Sequence, residues 1–341
     1  MPDLEERYLI VRFSSLGDVV LATAAAAYLK ARRPQAKVCF ATKAAFAPLL
    51  QGHPAIDEVV TLEAMGGLGG LIGLARGGGF WGLLDLHGNL RSRALGALSG
   101  LHVERWQAGT VDRRLRVWFK GWRRPALAPV ATRYVAAAAR LLAQVPPESA
   151  PLPNLQVADD AARWAETWLH AKGWQGGPLI AVAPGAAWAS KRTSTQTLAT
   201  SLKSLPQGAR VLLVGSASER GLCEELALVL PGSLNAAGET SDLRQLLALI
   251  AKAKAFLGHD SGPLHLAEAL GIPCTALFGP TVQAFGFFPQ GPGHRVFELD
   301  LACRPCSVHG TERCPLGHHD CLLKLDPAAI GAHLQQVLGR P

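Results

Sequence analysis

Two α/β domains, each a parallel sheet flanked by helices, are what this sequence predicts, and three observations carry the prediction. Short apolar runs of strand length alternate with helix-length segments along the chain, which is the grammar of a parallel sheet. Four prolines fall within ten residues in VPPESAPLPN, 145 to 154, a stretch that can continue neither a helix nor a central strand. The length, 341 residues, suits two domains of about 150 residues each. The expected division is 1–150 and 151–341, with the linker in the proline-rich stretch.

In order, RYLIVRF (7–13) is a first strand, SSLGD a tight loop, and the Ala-rich segment after it a helix that Pro34 stops. KVCFAT is a second strand, FAPLLQ a helix and DEVVTL a third strand. A Gly-interrupted helical stretch then leads to the strand in WGLLDLHGN and the helix RSRALGALSG. After the linker, an amphipathic helix with Trp164 and Trp168 precedes PLIAVAPGA. A helix, RVLLVGS, another helix, DLRQLLALIAKA, AFLGHDSGP, HLAEALG and PCTALFGPT follow. Ligands bind such sheets outside the carboxyl ends of the strands, so the loops there carry the functional candidates. Two such domains joined by a linker imply a cleft between them.

Hydrophobic residues make up 49% and charged residues 18%, a composition that excludes disorder, collagen and coiled coil. The start, MPDLEERYLIVRF, is acidic where an export signal would be basic, and no apolar run approaches the ~20 residues of a spanning helix. A cytoplasmic location is expected. The net charge of +8 resides in the first 150 residues, with 19 Lys+Arg against 11 Asp+Glu. Within them, 91 to 140 hold Arg91, Arg93, Arg105, Arg113, Arg114, Arg116, Lys120, Arg123, Arg124, Arg133 and Arg140 against Glu104 and Asp112. Such a stretch serves an anionic partner through Coulomb focusing, or is a solvated basic face.

A G-x-G-x-x-G occurs at Gly77, Gly79 and Gly82, but it precedes a strand, so it is no dinucleotide fingerprint. No phosphate-binding G-x-x-x-x-G-K-[ST] is present either. In F-S-S-L-G-D, Asp18 sits where the first strand turns into its helix, beside Gly17 and after Ser14 and Ser15. It is a candidate general base, or it caps the helix and complements its dipole. In A-P-G-A-A-W-A-S-K-R, the small residues Gly185, Ala186 and Ala187 precede Lys191 and Arg192, which either reach a diphosphate or are solvated cations at a helix start. In G-H-D-S-G-P-L-H-L, Ser261 suits a helix cap, Gly262 follows it, and Pro263 suits the first helical position with its missing N–H. The free N–H groups there form an anion site, flanked by Asp260 and His265, whose structural roles would be capping and core packing. Glu219, after VLLVGS, can accept two hydrogen bonds from a ribose diol or complement a helix start.

Together, RYLIVRFSSLGDVVLATAA, the PGA...SKR loop and HDSGPLHLAEALGIPCTALFGPT resemble glycosyltransferase family 9, the ADP-heptose:lipopolysaccharide heptosyltransferases. The resemblance spans essentially the whole chain. It implies a GT-B fold of two Rossmann-like parallel-sheet domains facing each other across a cleft, the first binding the acceptor and the second, with the Cys-rich tail 303–321, the nucleotide sugar. It also implies an inverting, metal-independent transfer of heptose from ADP-heptose to the lipopolysaccharide inner core, whether Kdo-lipid A or its heptosylated form. Asp18 then falls where the family has its base, Lys191 where it binds diphosphate, and Asp260 where it contacts the heptose. Ser261 and Gly262 fall at its phosphate-binding backbone, Glu219 at the ribose, and the neighbourhood of Thr240 is the guess for adenine. The basic residues from Arg91 onward become an acceptor surface, and with Trp118, Phe119 and Trp122 a means of peripheral contact with the inner face of the cytoplasmic membrane. Where the family commonly has Trp-Pro after SKR, this chain has Thr193 and Ser194. A monomer is expected.

Cys39, Cys223 and Cys274 read as small buried hydrophobes. Cys303, Cys306, Cys314 and Cys321 form C-x2-C-x7-C-x6-C with His309, His318 and His319 interleaved. They suit a structural zinc, reduced packing thiols, or a redox or disulfide role, the last disfavoured in a cytosol; no cofactor is expected for catalysis. Two other functions compete. One is a nucleotide-sugar transferase of the same architecture with a different sugar or acceptor. The other is a basic nucleic-acid-binding protein, which lacks any recognised reading module, so no nucleic-acid partner is expected.

Overall fold

The computed structural model describes residues 5–120 and 125–339. It divides into two compact units, Met1–Ala108 with Ala128–Gln156, and Gly109–Leu127 with Val157–Pro341. The proline-rich stretch is irregular backbone, and the second boundary follows it at 156/157. The excursion at 109–127 has no counterpart in the expected division.

The first unit begins with β1 (Arg7–Val11), α1 (Leu16–Arg32), β2 (Lys37–Thr42), β3 (Glu58–Thr61), α2 (Leu68–Gly77), β4 (Gly82–Asp85), α3 (Leu90–Ser99) and β5 (His102–Arg105). The chain then forms α4 (Thr110–Trp118), which belongs to the second unit, and returns with α5 (Val130–Leu141). All strand pairings are parallel, in the order β3-β2-β1-β4-β5. β1 and β4 are buried almost throughout because helices cover both faces, and apart from Arg7 and Asp85 at their ends their residues are accordingly not charged. α1 packs against α5, and the fully buried Ala24, Ala25, Ala137 and Ala138 keep that approach close. Two expectations differ. FAPLLQ makes one 3-10 turn, Ala47–Leu49, because Pro48 and then Gly52 at φ +76° leave it no length to propagate. The half-exposed edge strand HVER has too little apolar pattern to be read as a strand.

The second unit continues with α6 (Asp159–Ala171), β6 (Leu179–Ala183), α7 (Thr195–Leu202), β7 (Arg210–Leu213), α8 (Arg220–Val229), β8 (Leu234–Asn235), α9 (Leu243–Ala251), β9 (Ala255–His259), α10 (Gly262–Ala269), β10 (Cys274–Leu277) and β11 (Arg295–Phe297). α11 (Asp320–Leu323) and α12 (Pro327–Leu338) close the unit. Its six strands are parallel in the order β11-β10-β9-β6-β7-β8. The core runs from Ile180 and Val182 through Leu198, Leu213, Leu226 and Leu257 to Leu322, Ile330 and Leu334. Burying each such side chain contributes roughly 1.5–3 kcal/mol. Cys39, Cys223 and Cys274 are buried, as expected of small hydrophobes. Among the described residues no helix is long and apolar enough to cross a membrane.

Candidate functional site

In each unit the candidate residues gather where strands end and helices begin. In the first, β1 runs out at Val11, and the loop 12–15 leads into α1 with Ser15 as its N-cap. Asp18 occupies the third helical position. Its Oδ2 accepts from the Ser15 N–H at 3.2 Å and the Ser15 hydroxyl at 2.6 Å, so the capping role is realised. Its Oδ1 faces elsewhere, pairing with Arg12 Nη2 at 2.7 Å and accepting from the Tyr134 hydroxyl at 3.3 Å. Burial alone would raise the Asp18 pKa, but the Arg12 charge and the hydrogen bonds from Ser15 and Arg12 outweigh it and hold the carboxyl below its ordinary value. Asp18 is therefore an ionised carboxylate in a nearly dry setting.

Arg12 is 7% exposed. It donates to the Leu86 carbonyl and lies 5.7 Å from the Trp106 ring centre and 5.8 Å from that of Tyr134. Burial drives the Tyr134 phenol pKa up, so the hydroxyl stays a donor. Around this pair stand His87, whose ring meets Phe13 edge-on at 5.1 Å, and the fully buried Asp85, which accepts from the His87 and Gly88 N–H groups and pairs with Arg105 at 3.4 Å. Gly88, at φ +72°, adopts a turn that few other residues would tolerate. Sequence reasoning named none of Arg12, Tyr134 or His87 as site residues. The only signal was their position in loops after strands, or in a helix far along the chain.

In the second unit, Lys191 Nζ reaches Asp260 Oδ2 at 2.6 Å and the Asp260 carbonyl at 3.0 Å, and Thr281 donates to the same Oδ2 at 2.7 Å. Burial would raise the Asp260 pKa, yet Lys191 and the hydrogen bonds hold it below the ordinary value. Ser261 is the N-cap of α10, with Gly262 and Pro263 in its first turn. The Ser261 hydroxyl is buried and makes no hydrogen bond. A cation, an orphaned donor and a helix N-terminus thus converge, as an anion site requires.

Glu219 Oε2 accepts from the Ser216 N–H and hydroxyl, each at 2.8 Å, while Oε1 lies so close to Gly185 that a Cβ there would come within 1.9 Å of it. Gly185 therefore brings the loops after β6 and β7 together. The Ala186 carbonyl accepts from Arg192, whose Nε and Nη2 donate to it at 2.9 and 2.6 Å; Arg192 shapes this loop, and Ala187 is exposed at its crest. Thr240, half-buried, follows Glu239, which Trp168 and Lys172 hold. Thr193 and Ser194 have defined places. The Thr193 N–H donates to His259 Nε2 at 3.0 Å and its hydroxyl to the Leu322 carbonyl at 3.1 Å, and Ser194 caps α7. Burial pushes the His259 pKa down to about 4, so this ring is a neutral acceptor.

Three expectations need correction. His265 was expected at the donor, but it is 3% exposed and its Nδ1 meets Glu268 at 2.9 Å, which makes it a core histidine of α10. Arg113 and Arg116 were expected on an exposed acceptor face. They are 6% and 8% exposed, with Arg113 over the Phe287 ring at 5.5 Å and Arg116 bonded to Asp112 and the Pro125 carbonyl, and their helix belongs to the second unit. Arg91, Arg93 and Arg114 are exposed, and Ser14 and Gly17 flank the Asp18 loop. Trp122, Arg123 and Arg124 lie outside the described residues. Cys303, Cys306, Cys314 and Cys321 are unpaired thiols, and among the described residues no three His, Cys, Asp or Glu side chains are arranged to hold a metal.

Comparison with known proteins identifies the family. The family model for glycosyltransferase family 9 (heptosyltransferase) matches residues 80–315. Lipooligosaccharide heptosyltransferase 2 of Campylobacter jejuni subsp. jejuni serotype O:6 is 30% identical over 161 residues, 46% of this chain and 50% of that protein. The chain thus matches about half the length of such curated relatives. Lipopolysaccharide heptosyltransferase 2 of Escherichia coli K12 is 28% identical over 352 residues, covering 97% of this chain and 98% of that one. Among solved structures, E. coli ADP-heptose LPS heptosyltransferase II superposes with a TM-score of 0.74 at 27% identity, covering 97% and 98% of the two chains. A glycosyltransferase family 9 protein from Veillonella parvula DSM 2008 shares the fold, with a TM-score of 0.79 at 17% identity over 98% and 97%.

Proposed function

The chain belongs to glycosyltransferase family 9 and has its GT-B fold, and from that premise we propose that it is an inverting, metal-independent heptosyltransferase of lipopolysaccharide core assembly. The observation that carries the reading is Lys191 on Asp260 beside the orphaned Ser261 hydroxyl at the start of α10, a site built for the diphosphate of a nucleotide sugar. The full-length match to E. coli lipopolysaccharide heptosyltransferase 2 supports ADP-heptose as the donor.

The first unit is assigned the acceptor and the second the donor. Asp18, ionised, takes the proton of the acceptor hydroxyl as its oxygen bonds to the anomeric carbon, a role worth about 10²–10⁴-fold in rate. Arg12 and Tyr134 hold the carboxylate in place. The bond from the anomeric carbon to phosphate breaks as the new one forms, its electron pair leaves with ADP, and a single displacement inverts the centre. Lys191 and the N–H groups at Ser261 and Gly262 stabilise the growing charge on ADP. Glu219 is assigned to the ribose, the Gly185–Ala187 loop to the diphosphate and the Thr240 region to adenine. Arg91, Arg93 and Arg114 are assigned to the anionic acceptor.

α4 supports peripheral contact with an anionic membrane, because it is inverted relative to an ordinary surface helix. Its arginines 113 and 116 are buried while Val111, Trp118 and Phe119 are 71%, 70% and 57% exposed. Aromatic and basic side chains together suit a lipid interface.

The test is transfer from ADP-heptose to Kdo2-lipid A and to its mono-heptosylated form, for wild type and Asp18→Asn, in EDTA. Turnover of one acceptor that survives EDTA and collapses in the variant is the expected result. Failure with both acceptors, with ADP still bound, would mean a transferase for another sugar or acceptor.

A further inference from the structure

The cysteine-rich segment between β11 and α11 takes no part in the chemistry above, yet it grips both members of the Lys191–Asp260 pair. On the lysine side, the adjacent Ser190 is 3% exposed and held three ways. Its N–H donates to the Thr311 carbonyl at 3.1 Å, its hydroxyl accepts from the Thr311 N–H at 2.8 Å, and its carbonyl lies 2.7 Å from His319 Nε2. A carbonyl only accepts, so His319 donates there. Gly310, at φ +111°, lies against Trp188, where a Cβ would come within 2.6 Å of that side chain; the two strips of chain interlock.

On the aspartate side, the buried Arg304 donates to the Thr281 carbonyl at 2.7 Å and to the Phe278 and Gly279 carbonyls. The hydroxyl of that same Thr281 bonds Asp260. His319 itself sits at φ +55°, a left-handed conformation that costs energy in a residue with a side chain and persists where surrounding contacts impose it.

We propose that this segment is the positioning frame of the donor site, His319 holding Ser190 and hence Lys191, and Arg304 holding Thr281 and hence Asp260. The inference rests on the reading of Lys191 as the diphosphate ligand of the donor site and of Asp260 as the residue that holds it and meets the sugar. A cation must stand within a few tenths of an ångström of its phosphate oxygen to stabilise the leaving group. A lysine side chain with four rotatable bonds acquires that precision only if its backbone is fixed. The frame acts through His319, Arg304 and the backbone of Thr311, so it assigns the tail a task that does not depend on the state of its four thiols.

The test compares wild type, His319→Ala and His319→Gln by calorimetric titration with ADP, by steady-state kinetics against ADP-heptose and acceptor separately, and by thermal melting. Loss of one positioning hydrogen bond predicts an ADP Kd and a donor KM about tenfold higher in His319→Ala. The acceptor KM should be unchanged and the Tm within about 3 °C of wild type. Gln, whose amide N–H can take the place of Nε2–H, should restore most of the affinity. Wild-type ADP affinity in His319→Ala would overturn the frame while leaving the donor-site reading intact. Equal losses toward donor and acceptor, or no rescue by Gln, would reduce His319 to a folding contact. Failure of the wild type to bind ADP would overturn the donor-site reading itself.

Discussion

Replacing Asp18 by Asn changes neither volume nor backbone and asks whether the carboxylate is the base. The carboxylate answers four donors, the Ser15 N–H and hydroxyl on one oxygen and Arg12 and Tyr134 on the other. An amide has one oxygen for them. If it stays with Ser15, its NH2 turns toward Arg12, which is 7% exposed and loses its ion-pair partner. Removing one partner of a buried ion pair costs about 3–5 kcal/mol. Arg12 retains the Leu86 carbonyl and the Trp106 and Tyr134 rings, so the expected loss is nearer to about 2–3 kcal/mol, or roughly 4–12 °C in Tm. The kcat should fall by about 10²–10⁴-fold, read as ADP release under saturating donor and acceptor at a temperature where the variant is folded. The pH profile gives an independent check. Because Asp18 is held below its ordinary pKa, it should impose no acid limb on the rate above about pH 5. Its contribution to stability is complete above its unfolded pKa of ~3.9 and is lost as pH falls further, through the folded value. A folded variant with kcat within tenfold of wild type would refute the base assignment, and an unchanged Tm would refute the ion-pair reasoning.

Gly185→Ala would place a Cβ 1.9 Å from Glu219 Oε1, so Glu219 must move; ADP affinity should drop at least tenfold in a titration, and an unchanged Kd would separate Gly185 from the donor site. His259 is buried with its pKa near 4. As a base with a lowered folded pKa it contributes stability above its unfolded pKa of ~6.5, and about 3 kcal/mol of it should be lost as pH falls from there to about 4. A His259→Gln protein should melt with a shallower pH dependence over that window. Trp118→Ala with Arg114→Ala should reduce co-sedimentation with vesicles containing anionic lipid several-fold and leave neutral vesicles unaffected. Binding that ignored both lipid charge and salt would rule out the membrane role of α4.

The alternation of apolar runs with helical segments was enough to read two parallel-sheet domains, since the period of side-chain burial is a local property and strands covered on both faces must be apolar. Asp18, Lys191 and Ser261 could be proposed from the sequence for the same reason: each stands within a few residues of a strand end or helix start, where the backbone geometry is local. His265 was misread because a histidine in the first turn of a helix faces ligand or core according to the helix's rotation on its sheet, and four residues of spacing do not report that rotation. Arg113 and Arg116 were misread because a run of charge looks solvated until the chain's excursion into the second unit buries one face of α4.

By itself, then, the sequence determined the fold class and the family, both of which reside in contiguous stretches. Only the tertiary structure decided that Arg12 and Tyr134, 122 positions apart in the chain, meet on one oxygen of Asp18, and that His319 lies against Ser190. Such pairings depend on how sheets twist and helices pack over long loops, a free energy summed over the whole unit that no local pattern of residues encodes.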